Sequence, residues 1–162
     1  MHAVPPPPVD PTDVIFLLEA SDVIGEAHFN RTKLFLSRLI GKLDIDSGSA
    51  RVGIVLYSTE VGLGINLGEH SSVASLQSAI MSLNFTGGSS NTAAALAYVR
   101  TMMLTSAAGA RIDVAKKVII FTSGRSDDRR ATQVGAMCNV HTVAVHWATL
   151  LLLAVSQEEN FN

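Results

Sequence analysis

The segment Asp13-Val14-Ile15-Phe16-Leu17-Leu18-Glu19-Ala20-Ser21-Asp22-Val23-Ile24-Gly25 decides how the rest of this chain is read. Val14 to Leu18 form a continuous apolar run, too short for a free-standing helix and without alternation. That pattern predicts a strand buried on both faces, as at the centre of a parallel sheet. Glu19, Ser21 and Asp22 follow at once, where the strand gives way to a loop. In open α/β folds this carboxyl edge of the sheet is where ligand sites lie. A candidate site starts here.

Downstream, strands and helices alternate. From His28 to Leu43 the spacing of Phe29, Leu34, Phe35, Leu36, Leu39, Ile40 and Leu43 predicts a helix with one apolar face. Arg51 to Tyr57 reads as a second strand, and Val61 to Leu67, with its Val/Leu/Ile alternation broken by glycine, suits an antiparallel edge strand. Ser71-Ser72 can cap a helix that runs to Leu83. The polar loop Phe85 to Thr92 leads into an Ala-rich helix ending near Leu104, and Lys117 to Thr122 is another continuous apolar strand. It ends in Ser123-Gly124-Arg125-Ser126-Asp127-Asp128. A helix over 129–138, a strand over 140–147 and a helix over 148–157 complete the pattern. Parallel neighbours need helix-length crossovers, so the expected fold is α/β: a Rossmann-like, doubly wound, mostly parallel sheet with one antiparallel edge strand and helices on both faces. Three polar loops then share one edge of the sheet.

Upstream, the four consecutive prolines within Met1 to Val9 suggest a stiff extended linker rather than a signal peptide, so residues 1–12 are expected to be linker and 13–162 one domain. Net charge is −2 with lysines and arginines scattered, which offers no face to nucleic acid or to an anionic membrane. The apolar stretch Ala148 to Val155 is far short of the ~20 residues of a membrane helix, and a soluble segment is expected. Cys138 is the sole cysteine and cannot form an internal disulfide; a free buried thiol is favoured over a bridge to another chain.

Four blocks, in this order and spacing, resemble a von Willebrand factor type A domain, the fold shared with integrin I domains. They are Asp13 to Leu18 with Ala20-Ser21-Asp22 and Ile24-Gly25; Arg51-Val52-Gly53; Gly87-Gly88 with Asn91-Thr92 and Ala95-Leu96; and Lys117 to Ile120 with Thr122, Gly124-Arg125-Ser126 and Asp128. The Gly-Arg-Ser-x-Asp ending is most similar to the extracellular-matrix subclass, that of matrilins, type VI collagen and invertebrate matrix proteins. The resemblance implies a divalent cation, usually magnesium, held by an Asp-x-Ser-x-Ser strand end, a Thr of the second loop and an Asp of the third. It also implies a closing helix that this chain ends too early to form, and apolar surface left bare there could drive self-association.

At those positions this chain holds Glu19, Ser21, Val23, Ser90 and Ser123. Val23 offers no oxygen, and Ser123 removes a negative charge. Glu19 reaches further than Asp by one carbon–carbon bond, roughly 1.5 Å, against a shell that tolerates ~0.2 Å. A hard cation wants oxygens in near-octahedral array at about 2.0–2.1 Å. The expectation is therefore a degenerate adhesion site with no cofactor, weak magnesium binding being the alternative. Glu19 would then pair with Arg125 or Lys116, or accept hydrogen bonds from Ser21 and Ser123.

Other chemistry is sparse. The histidines at 2, 28, 70, 141 and 146 show no metal-binding spacing, and neither Gly-x-Ser-x-Gly nor a phosphate loop is present. Gly87-Gly88-Ser89-Ser90 could cradle an anion, but a close-passing turn explains it as well. Asn30-Arg31-Thr32 and Asn84-Phe85-Thr86 are glycosylation sequons and favour a secreted protein. The resulting expectation is a non-enzymatic, extracellular interaction module that binds collagen or other matrix proteins through Glu19, Ser21, Asp22, Ser90 and Arg125. The rivals are a weakened cation-dependent site and a small Rossmann-like enzyme.

Overall fold

Val14 to Leu18 lie in the middle strand of a five-stranded sheet in a computed structural model that describes residues 10–123 and 141–146. The strands are β1 (Thr12–Glu19), β2 (Ala50–Tyr57), β3 (Val61–Ile65), β4 (Ala115–Thr122) and β5 (His141–His146), in the spatial order β3-β2-β1-β4-β5. β1 is parallel to both β2 and β4, and β4 to β5, while β3 runs antiparallel at the edge beside β2. Among the described residues three α-helices pack against it: α1 (Glu26–Ile40), α2 (Val73–Ser82) and α3 (Thr92–Tyr98).

Side chains of β1 alternate between two cores, as the pleat requires. Val14, Phe16 and Leu18 pack with Phe29, Leu36 and Ile40 of α1 and Leu76 and Ile80 of α2. Ile15 and Leu17 pack with Ala95 and Leu96 of α3 and with Val99 and Met103 beyond it. Burial on both faces is why the strand is an unbroken apolar run.

Helix boundaries and faces depart from the sequence pattern in three places. α1 begins at Glu26 and ends at Ile40, because Gly41 and the turn in which Leu43 N–H donates to Ile40 O close it early. Leu34, expected on its apolar face, is 51% exposed, and Lys33 is buried instead. The Lys33 ammonium donates to the carbonyls of Met81 (3.1 Å) and Leu83 (2.7 Å) and lies 5.3 Å from the Phe29 ring centre. A helix leaves its last carbonyls without intrahelical donors, and α1 supplies one for α2. Finally, the Ala-rich helix is α-helical only to Tyr98; Val99–Met103 widens into a π-turn, with Leu104 N–H donating to Val99 O at 3.0 Å. The wider turn sets Met103 over Gly53, where a Cβ would come within 2.9 Å of Met103 Cε.

At the amino edge of the sheet, Asp13 is fully buried and held by Arg111: Arg111 Nε donates to Oδ1 and the Arg111 backbone N–H to Oδ2, both at 2.8 Å. The guanidinium also donates to the carbonyls of Gly48, Thr12 and Ser49. Lys116 Nζ stands 4.0 Å from Asp13 Oδ2. The strand expected over 140–147 is β5, and Thr12, expected to end the linker, opens β1; residues 1–9 of the expected linker, helices 129–138 and 148–157, and Cys138 lie outside the described residues. Among the described residues no helix is long and apolar enough to cross a membrane.

Candidate functional site

Strand register assembles the site. Glu19 is the last residue of β1, opposite Tyr57 on β2, and Leu18 is opposite Phe121 on β4, so Glu19 comes beside Thr122 and Ser123. Its carboxylate is 1% exposed. Oε1 accepts hydrogen bonds from the hydroxyls of Ser21 (2.6 Å) and Ser123 (3.1 Å). Oε2 accepts from the Ser123 backbone N–H (2.6 Å) and the Thr122 hydroxyl (3.0 Å). An ionised carboxylate has about four lone-pair sites, and protein donors take all four.

The first and second polar loops and the turn between β2 and β3 are stitched together beside it. Gly87 N–H donates to Ala20 O (2.8 Å) and Asp22 N–H to Gly88 O (2.9 Å), joining the first loop to the second. Thr86 Oγ1 donates to Ala20 O (3.2 Å), and Ser89 N–H to Thr59 Oγ1 (2.9 Å). Gly87 and Gly88 have φ of 71° and 88°, in the left-handed region that favours glycine. A Cβ on Gly87 would lie 2.8 Å from Asp22 Oδ1, and one on Gly88 would collide with Thr59 Oγ1. The glycine pair is thus the close-passing turn, and it brings the loops into register.

Of the residues singled out from sequence, Glu19, Ser21 and Ser123 are brought together and buried, Ser90 is buried in the second loop, and Asp22 and Val23 are exposed, Val23 by 48%. In this conformation the buried four shape the top of the domain from beneath, and Asp22 and Val23 form its surface. Lys116 does not reach Glu19; it lies at the opposite edge and donates to the carbonyls of Arg111 and Val114. Arg125 lies outside the described residues. His28 faces the carbonyl of Ile24 at 3.0 Å, a helix-start contact rather than part of the cluster.

Sequence reasoning missed Tyr57 and Thr92. Both are buried next to the cluster, and neither the Tyr57 hydroxyl nor Thr92 Oγ1 has a well-formed hydrogen bond. Burial pushes the Tyr57 hydroxyl far above the usual tyrosine range and the nearby Glu19 charge adds to this, with the Thr122 and Thr92 hydroxyls opposing. The available signal was positional: Tyr57 ends β2 as Glu19 ends β1. An acid whose folded pKa is raised leaves stability intact below its unfolded value near 10 and loses it as pH climbs above that. Urea unfolding of Tyr57→Phe is expected to match the wild type within about 0.5 kcal/mol at neutral pH, since the deleted hydroxyl lacks a full partner. Above about pH 10 the variant should lose stability more slowly. Parallel alkaline limbs for the two proteins would contradict this placement of Tyr57.

A hard divalent cation here would have to displace the donors on Glu19. The one carboxylate at the strand end has no acceptor position left, Val23 supplies no oxygen, and the remaining candidates are neutral hydroxyls. Among the described residues no group of three or more His, Cys, Asp or Glu side chains is placed to hold a metal ion.

A 3-2-1-4-5 sheet with one antiparallel edge strand and loops tied at its carboxyl edge fits the A-domain class. The chain matches the von Willebrand factor type A domain over residues 13–150 and belongs to that family. It is 35% identical over 138 residues to the human collagen alpha-1(XX) chain, covering 85% of this chain and 10% of that one. With mouse matrilin-1 it shares 35% identity over 121 residues, covering 73% of this chain and 24% of that one. It therefore spans a quarter or less of the length of these curated relatives, which are matrix proteins. Among solved structures, proximal thread matrix protein 1 from the mussel byssus superposes with a TM-score of 0.79 at 20% identity, over 85% of this chain and 38% of that one. Another structure of that mussel protein has a zinc-occupied MIDAS motif. These structural likenesses show the shared fold.

Proposed function

We propose that this domain is a non-enzymatic protein–protein interaction module of the extracellular matrix that binds collagen or other matrix components without an obligatory cation. The observation that carries the reading is the saturated Glu19 carboxylate: where relatives of this fold can offer oxygens to a metal, this chain spends them on its own carboxylate. Matrix relatives support the setting. The contact surface is the exposed top of the loops, Asp22, Val23, Thr59, Glu60 and Ser89, held from beneath by Glu19, Ser21 and Ser90. We assign Arg125 to the same surface on the family pattern alone. The cluster pairs hydroxyls with an acceptor-saturated carboxylate and, among the described residues, contains no histidine or cysteine, which supports binding over proton-transfer chemistry.

Solid-phase binding to immobilised collagens and matrilins, in chelator and in magnesium, tests this. Equal binding is expected in both, with Asp22→Lys or Val23→Arg lowering it by about tenfold or more. Magnesium should also leave the urea midpoint unmoved, whereas a bound ion at a hundredfold excess over its Kd would add about 2.7 kcal/mol. Binding abolished by chelator would establish the weakened cation site instead. As a positive control, Glu19→Asp/Val23→Ser/Ser123→Asp returns the family's oxygens and should confer magnesium-dependent stabilisation.

A further inference from the structure

The two sequons, 54 residues apart in the chain, meet on one side of the fold. Phe29 and Phe85, which adjoin Asn30 and Asn84, are in ring contact with centroids 5.8 Å apart. Lys33 of α1 donates to Leu83 O, the residue just before Asn84. Both asparagines are exposed: Asn30 on the outer face of α1, Asn84 in the extended segment after α2. Two of the few large apolar side chains exposed on the described surface lie on the same seam. Leu34, 51% exposed, is one helical turn from Asn30, and Met81, 44% exposed, offers its carbonyl to Lys33 and lies three residues before Asn84. Positions i and i+4 are neighbours on a helix surface, so a sugar chain rooted at Asn30 would lie over Leu34.

We propose that Asn30 and Asn84 both carry N-linked glycans, which cover the α1–α2 seam, shield Leu34 and Met81, and leave the top loops and the α3 side as the protein-binding surface. The inference rests on the extracellular reading above, since the modification takes place only on chains that enter the secretory route. Thr32 is buried, with its hydroxyl donating to His28 O at 3.0 Å, and Thr86 is tied to Ala20 O and Ser58. These contacts belong to the folded chain. The transfer needs the Asn-x-Thr backbone extended, and so precedes them; what the folded state must offer is room at the asparagine, and both have it. Glycans are bulky and solubilising and occupy surface positions.

The full chain, given a secretory leader and expressed in a eukaryotic host, provides the test. Intact-mass measurement before and after peptide N-glycosidase F should show two glycans; Asn30→Gln and Asn84→Gln should each remove one and the double variant both. The enzyme converts each occupied asparagine to aspartate, and peptide mapping should locate that change at residues 30 and 84. Secreted protein with either asparagine bare overturns the proposal. The double variant should also self-associate at concentrations where the glycosylated protein is monomeric, and Leu34→Ser/Met81→Ser added to it should restore the monomer. A double variant that stays monomeric overturns the shielding role. Collagen and matrilin binding is read on the same samples: occupied asparagines without binding would count against the proposed function alone, and bare asparagines with binding against the glycans alone.

Discussion

Arg111→Ala should cost about 3–5 kcal/mol of folding free energy, the usual loss when one partner of a buried ion pair is removed. Asp13 has no exposed surface, and without the guanidinium it retains only the backbone N–H of residue 111 and the Lys116 ammonium at 4.0 Å. The reverse truncation is milder. In Asp13→Ala the guanidinium keeps the carbonyls of Gly48, Thr12 and Ser49, and its side chain is already 21% exposed. The double variant should therefore resemble Asp13→Ala, because deleting the buried carboxylate removes what Arg111→Ala leaves stranded. Urea denaturation of the three variants gives the cycle. A single Arg111→Ala loss below about 1 kcal/mol, the range of an exposed pair, would show that the latch is a surface contact.

Glu19→Ala should cost about 3 kcal/mol, since four donors lose a charged acceptor and hydrogen bonds to charged groups contribute about 1.5–3 kcal/mol each without adding fully. Three of those donors are hydroxyls that can turn elsewhere; the Ser123 N–H cannot. Glu19→Gln should cost less, about 1–2 kcal/mol, because the amide oxygen can face Ser123 N–H while its NH2 faces the Ser21 and Ser123 hydroxyls, which can accept. The order Ala worse than Gln is the diagnostic. If the two variants were equally stable, the carboxylate would not be acting as the common acceptor that ties β1 to β4. Neither variant's loss should respond to magnesium.

Asp13 and Glu19 sit on the same face of β1, at its two ends, and both carboxylates are held by residues far away in the chain: Arg111 for the first, Thr122 and Ser123, joined by nearby Ser21, for the second. The resemblance sets Glu19 where the family pattern has an aspartate, and Val23 and Ser123 where it has a serine and an aspartate. The sequence showed Ser21 and Ser123 as donors within reach, alongside Arg125 and Lys116. Only the strand register selects among them, because Lys116 lies at the amino edge, opposite Asp13, and Thr122 at the carboxyl edge beside Glu19. Lys33 teaches the same lesson on a helix. Its charge marks it as polar, yet four residues after Phe29 and three before Leu36 it falls on the buried stripe of α1, where α2 ends with carbonyls to satisfy.

What the amino-acid sequence determined by itself was the kind and the order of the main strands and α-helices among the described residues. Those follow from apolar spacing and turn residues within a dozen positions, and from the rule that parallel strands need helical crossovers. Its resemblance to the family also gave the expectation that the top loops lack some of the cation's oxygens. The tertiary structure alone decided that Glu19 points inward with every acceptor position filled, that Asp22 and Val23 are the surface above it, and that Asn30 and Asn84 share a seam. Each of these depends on which distant backbone segments lie side by side, and a buried polar group takes whichever partner that packing supplies.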